Sequence, residues 1–129
     1  MKKVIVVFTL CLSFNLSAQY CLFFDIKVEE PEMVVSAMSD LMNTEWGKSL
    51  EATKSLFAYG PNGTNKATHS IQFCFPSEAS FEKAFLSYGQ SKDAQLIWER
   101  KLEAFSSNVS QTLNMPIWYN GEDWAEDNV

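Results

Sequence analysis

The chain has 129 residues, 16 of them acidic and 10 basic, with one histidine, 47% hydrophobic and 14% aromatic side chains. This apolar and aromatic content suffices for one core and excludes a disordered chain. The formal charge of −6 excludes a nucleic-acid backbone or an anionic membrane surface as partner, since both need a basic face.

The opening MKKVIVVFTLCLSFNLSAQYC places Lys2 and Lys3 before an apolar run from Val4 to Leu16, followed by Leu16-Ser17-Ala18. This is the layout of a secretory signal peptide cleaved after Ala18. The run is short of the roughly 20 residues of a membrane span, and no later stretch is long and apolar enough, so no membrane span is expected. Tyr20 directly before Cys21 speaks against a lipoprotein. Residues 1–18 are therefore read as leader, 19–120 as one folded domain, and 121–129 as an acidic tail, GEDWAEDNV. The tail reads as a solvated end, with a cation site or a docking peptide anchored by Trp124 as the alternatives. An exported chain, periplasmic or extracellular, loses Lys2 and Lys3, leaving 8 basic against 16 acidic residues. Cys11 departs as well, so Cys21 and Cys74 remain as an even pair in an oxidising compartment.

From Cys21 to Glu29, Leu22, Phe24, Ile26 and Val28 alternate with Cys21, Phe23, Asp25 and Lys27, which predicts a half-buried first strand. Pro31 opens a helix whose apolar positions, from Val34 to Met42, recur at helical spacing until Gly47. Ser55 to Tyr59 and Ala67 to Phe75 form a hairpin around a loop from Gly60 to about Lys66, because Gly60-Pro61-Asn62-Gly63 is turn chemistry. Pro76-Ser77 begins a second helix ending near Gly89, and Asp93 stands near the start of a third whose face runs from Ala94 to Phe105. A last run, Thr112 to Tyr119, is confined to an edge strand by Pro116.

The order β-α-β-β-α-(α)-β fits an α+β, ferredoxin-like sandwich: one antiparallel four-stranded sheet of order 4-1-3-2 with helices on one face. The first and third strands are then antiparallel neighbours. One register pairs Cys21 with Cys74, Phe23 with Gln72, Asp25 with Ser70, Lys27 with Thr68 and Glu29 with Lys66. It also gathers Leu22, Phe24, Ile26 and Val28 with Ile71, Phe73 and Phe75 on the helix side. Opposed residues of a non-hydrogen-bonded pair lie about 4.5 Å apart at Cα, within disulfide range. A Cys21–Cys74 disulfide is expected. A redox or metal-binding pair is the other reading, and it lacks C-x-x-C spacing.

His69 has helix-side parity at the start of its strand, beside the hairpin. It reads as a hydrogen-bonded rim residue or, with Tyr59 and Lys27 nearby, as part of a polar mouth that binds ligand. No matching nucleophile or orienting group is placed by spacing, so no catalytic residue is assigned. Met33, Met38 and Met42 read as core filling, not a copper site, and no metal or cofactor is expected.

The features FFDIKVEEP leading into the first helix, the hairpin SLFAYGPNGTNKATHSIQFCF and the extra helix KDAQLIWERKLEAF resemble the dimeric α+β barrel superfamily. The resemblance spans Tyr20 to Tyr119. It implies a homodimer packed sheet against sheet, and a cavity between sheet and helices. The same topology serves RNA recognition, which needs stacking aromatics on the open sheet face. Ser70, Gln72 and Cys74 occupy that face of the third strand, and nucleic acid is not expected. Two functions remain. One is an exported non-catalytic module for a small apolar ligand or a protein partner, with Phe23 and Phe57 on the docking face. The other is a small cofactor-independent, monooxygenase-like enzyme.

Overall fold

The computed structural model describes residues 19–115. The expected leader, the acidic tail and the segment 116–119 of the expected last strand lie outside them. The sheet is built around β1 (Tyr20–Val28), which pairs antiparallel with β3 (His69–Phe75) on one side and with β4 (Ser106–Asn114) on the other. β2 (Thr53–Ala58) pairs with the far side of β3, giving the order β2-β3-β1-β4. This is the expected 4-1-3-2 order read from the opposite edge.

The β1–β3 register sets Cys21 against Cys74, Phe23 against Gln72 and Asp25 against Ser70. Cys21 and Cys74 form a disulfide with Cα atoms 4.0 Å apart, linking positions 53 residues apart in sequence. The regular ladder ends at Ile26–His69, earlier than expected. The Thr68 N–H donates to the Ile26 carbonyl at 2.9 Å, and its hydroxyl accepts from the Val28 N–H. Glu29 in turn donates to the Phe105 carbonyl at 3.0 Å. The strands slip past one another here, so the expected Lys27–Thr68 and Glu29–Lys66 steps do not continue the ladder. The hairpin loop turns at Gly63, whose φ of 58° suits a residue without a Cβ. The Asn62 side chain bridges the loop to the Ala67 carbonyl at 3.1 Å.

α1 (Pro31–Asn43) starts on proline and buries Val34, Ala37 and Leu41 against the sheet. It stops four residues before the expected end. Thr44 closes it by donating its backbone N–H and its hydroxyl to the Leu41 carbonyl, and the same hydroxyl accepts from the Gly47 N–H. One side chain thus ends α1 and caps α2 (Glu45–Ser49). Gly47 is required at this corner, since a Cβ there would strike the Leu41 carbonyl and lie 2.6 Å from Met42 Cα.

α3 (Glu78–Gln90) begins at Ser77, whose hydroxyl accepts from the Ser80 N–H. α4 (Lys92–Ile97) is shorter than the expected third helix. It passes into a π-helical turn, Trp98–Leu102, closed by the Glu103 N–H on the Trp98 carbonyl at 3.0 Å. Lys101 on this turn pairs with Asp40 of α1 at 2.6 Å. β4 begins six residues before the expected last strand, because it is an edge strand exposed on both faces and its serine-rich start carries no apolar alternation.

The core lies between the sheet and the helices, where Ile26, Ile71, Phe73 and Phe75 meet Val34, Leu41, Ala94 and Leu102. No helix among the described residues is long and apolar enough to cross a membrane.

Loss of the cross-link is expected to lower unfolding stability by about 4 kcal/mol in the chain-entropy model. Urea denaturation of the oxidised protein against a Cys21→Ser, Cys74→Ser variant measures this difference. The native oxidised protein is expected to take up no thiol-alkylating reagent at either position until it is unfolded and reduced.

Candidate functional site

Alternation sends the side chains of Leu22 and Phe24 on β1, and of Phe73 and Phe75 on β3, toward the helices. Over them, the helical layer does not close fully. A cavity of about 240 Å³ remains, roofed by Trp46 of α2, by Phe81, Ala84, Phe85 and Tyr88 of α3, and by Trp98 of the π turn, with Gln111 of β4 at one side. Ring contacts fix its walls. Phe24 meets Trp98 edge to face with centroids 5.0 Å apart, and Trp46 meets Tyr88 at the same distance. Phe73 stands edge-on to Phe24 at 6.3 Å. Such pairs favour tilted and edge-on geometry, because each ring has a negative face and a positive rim. The Trp46 indole N–H donates to the Ala84 carbonyl at 3.0 Å, which locks α2 onto α3. Phe85 is 66% exposed and stands at the mouth.

The chemistry this wall offers is narrow. Among the lining residues the Tyr88 phenol alone titrates. Burial, and after it the carboxylates of Glu99 and Glu103, push its pKa above the ordinary 10.0. At neutral pH it is a neutral hydroxyl, able to donate one hydrogen bond. Gln111 adds an amide. Among the described residues no group of three or more His, Cys, Asp or Glu side chains is placed to hold a metal ion.

The residues singled out by sequence lie elsewhere. His69 is half-buried on the helix side of β3, with Nδ1 2.9 Å from the Thr68 hydroxyl. The Tyr59 phenol lies on the opposite, open face, where it donates to Asp25 Oδ1 at 2.7 Å, and this bond to a carboxylate raises its pKa. Ser110 donates to Asp25 Oδ2 at 3.2 Å. Lys27 is exposed and shares the parity of Asp25. The three do not converge on one point, and none lines the cavity. What the open face gathers instead is a carboxylate held by two hydroxyls, beside the fully buried Ser70 across the ladder.

Sequence reasoning missed Trp46, Trp98, Phe24 and Phe73 as walls of a site. Their periodicity marks them as facing inward, which is equally the signature of a filled core. The small residue Ala84, flanked on the same face by Phe81 and Tyr88, is the one local sign that space is left.

No protein-family model matches the chain, and no curated protein sequence matches it. Solved structures do match in fold. The chain is similar to SnoaB, a cofactor-independent oxygenase from Streptomyces nogalater, at 10% identity and a TM-score of 0.54, over 81% of this chain and 97% of that one. It is also similar to a dabb family protein with a ferredoxin-like fold from Mesorhizobium loti, at 10% identity and a TM-score of 0.52, over 80% of this chain and 99% of the other. The chain therefore has a ferredoxin-like α+β fold, as expected from the order of its elements.

The raised Tyr88 pKa fixes the sign of a pH effect. The folded protein holds the phenolic proton more tightly than the unfolded chain, so this contribution to stability is complete below the unfolded value, about 10. It is lost as pH rises through the folded value. The native protein is expected to lose stability more steeply above about pH 10 than a Tyr88→Phe variant, as read from urea midpoints across that range.

Proposed function

We propose that this chain is an exported, non-catalytic binding module that takes a small apolar ligand into the cavity between its sheet and helices. The observation that carries this reading is a wall of aromatic rings around about 240 Å³, whose hydrogen-bonding side chains are the Tyr88 phenol, the Gln111 amide and two indoles, that of Trp46 already bonded to the Ala84 carbonyl. Apolar ligand surface removed from water contributes roughly 25 cal/mol per Å². Walls already braced by ring contacts lose little freedom on binding. The covalent link between Cys21 and Cys74 suits the oxidising surroundings that export implies.

The module acts as a homodimer in this reading. Phe57, 47% exposed, and Tyr59 stand on the face opposite the helices, where Phe23 shares their parity. A second copy laid on that face covers them, and Lys27 and Tyr59 then belong to the dimer face and not to the ligand cavity.

The competing reading is a cofactor-independent monooxygenase-like enzyme working in the same cavity. The fold shared with SnoaB favours it. General acid–base work near neutral pH needs a group that titrates there, and the raised phenol of Tyr88 favours hydrogen bonding over proton transfer.

Titration with N-phenyl-naphthylamine, whose fluorescence rises in apolar surroundings, is expected to show saturable binding, with the probe recovered chemically unchanged. Ala84→Leu, which fills the cavity, is expected to weaken binding about tenfold, since an overpacked methylene costs about 1–3 kcal/mol. Absence of saturable binding overturns the reading, and oxidised probe moves it to the enzyme. Sedimentation is expected to show a dimer that Phe57→Glu converts to monomer.

A further inference from the structure

Trp98 lines more than the aromatic cavity. A second cavity, of about 370 Å³, shares Phe24, Trp98 and Gln111 with the first and runs along the π turn to the start of β4. Its character changes along its length. Ile26 and Leu102 extend the apolar wall, and beyond them come Glu103, Ser106, Ser107 and Asn108. The Ser106 hydroxyl is committed to the Leu102 carbonyl at 2.8 Å. Glu103 is the single charged residue lining either cavity. Arg100 and Lys101 stand on the same turn and line neither, and the Lys101 ammonium is paired with Asp40. The negative end is therefore not neutralised from within the walls.

Resting on the binding reading above, we infer that the ligand is an amphiphile: a ring-bearing apolar body lies among Phe24, Trp46 and Phe73, and a protonated amine passes Trp98 to meet the Glu103 carboxylate. Three features support this chemistry. The two spaces share Phe24, Trp98 and Gln111 in their walls, which brings the aromatic cavity and the Glu103 end to the same indole. A lone carboxylate beside uncharged hydroxyl and amide groups attracts a cation and repels an anion. The whole chain is acidic, which disfavours an anionic ligand at any distance a field can reach. The Glu103 carboxylate also adds, after burial and Glu99, to what raises the Tyr88 pKa in the wall of the first cavity.

The test uses naphthalene carrying a propyl tether that ends in an ammonium, an alcohol or a carboxylate, each displacing N-phenyl-naphthylamine from the full mature chain. The ammonium compound is expected to bind at least about tenfold more tightly than the carboxylate, in keeping with charge-assisted hydrogen bonds. Glu103→Gln is expected to bring that ratio near unity, whereas Glu51→Gln, a carboxylate outside both cavities, keeps it. Equal binding of all three compounds, or a preference that survives Glu103→Gln, overturns the inference and leaves the apolar binding reading standing. If N-phenyl-naphthylamine itself does not bind, the fault lies with that earlier reading, and the inference falls with it.

Discussion

Everything in this fold hangs on the antiparallel contact between β1 and β3. These two strands occupy the centre of the sheet, and their paired face is the surface on which the helices pack. A slip of one residue would turn Phe24, Ile26, Ile71 and Phe73 from the helix side to the open side and bring polar partners inward. The register is held at one end by covalent sulfur and at the other by the Thr68 hydroxyl, which ties Val28 down where the ladder ends. Between these two fastenings the side chains have no freedom to choose a face. The cavity floor, made of the same strands, inherits that rigidity.

The roof is assembled differently, from interruptions. Thr44 cuts one helix into two, and the second piece swings Trp46 over the sheet, where its indole reaches α3. The π turn interrupts the last helical segment, and in it Trp98 packs on Phe24 while Leu102 is buried. Extra residues in a helical turn are uncommon and recur at functional sites. Two departures from regular helix therefore place two indoles in the wall of one space. A pair of uninterrupted helices would present their apolar stripes to the sheet along their whole length and fill it.

Much of this was legible in the amino-acid sequence, and what was not has identifiable reasons. Strand alternation in the segment after Cys21 and in the hairpin return, together with two cysteines at matching parity, determined the topology and the cross-link. The break at Thr44 was hidden because a threonine within an apolar helical period carries no outward mark; its effect comes through backbone bonds to Leu41 and Gly47. The start of β4 was hidden because an edge strand exposed on both faces has no reason to alternate. Nearness along the strands groups His69, Tyr59 and Lys27, but the pleat sets His69 on the helix side and the other two on the open face. The cavity left almost no trace, since an aromatic ring facing a void and one facing another ring occupy the same helical or strand positions.

The polar, bulged edge formed by β4 has a further meaning. Val109 is the extra residue where the register shifts between Asp25 and Ile26, and Ser107, Asn108, Ser110 and Thr112 surround it. An unpaired rim of amide and carbonyl groups is a template on which other chains can stack into fibrils, and a twisted strand rich in hydroxyls and amides makes a poor one. The bulge and polar residues of the segment that sequence patterning overlooked thus make this edge of the described sheet a poor template for such stacking.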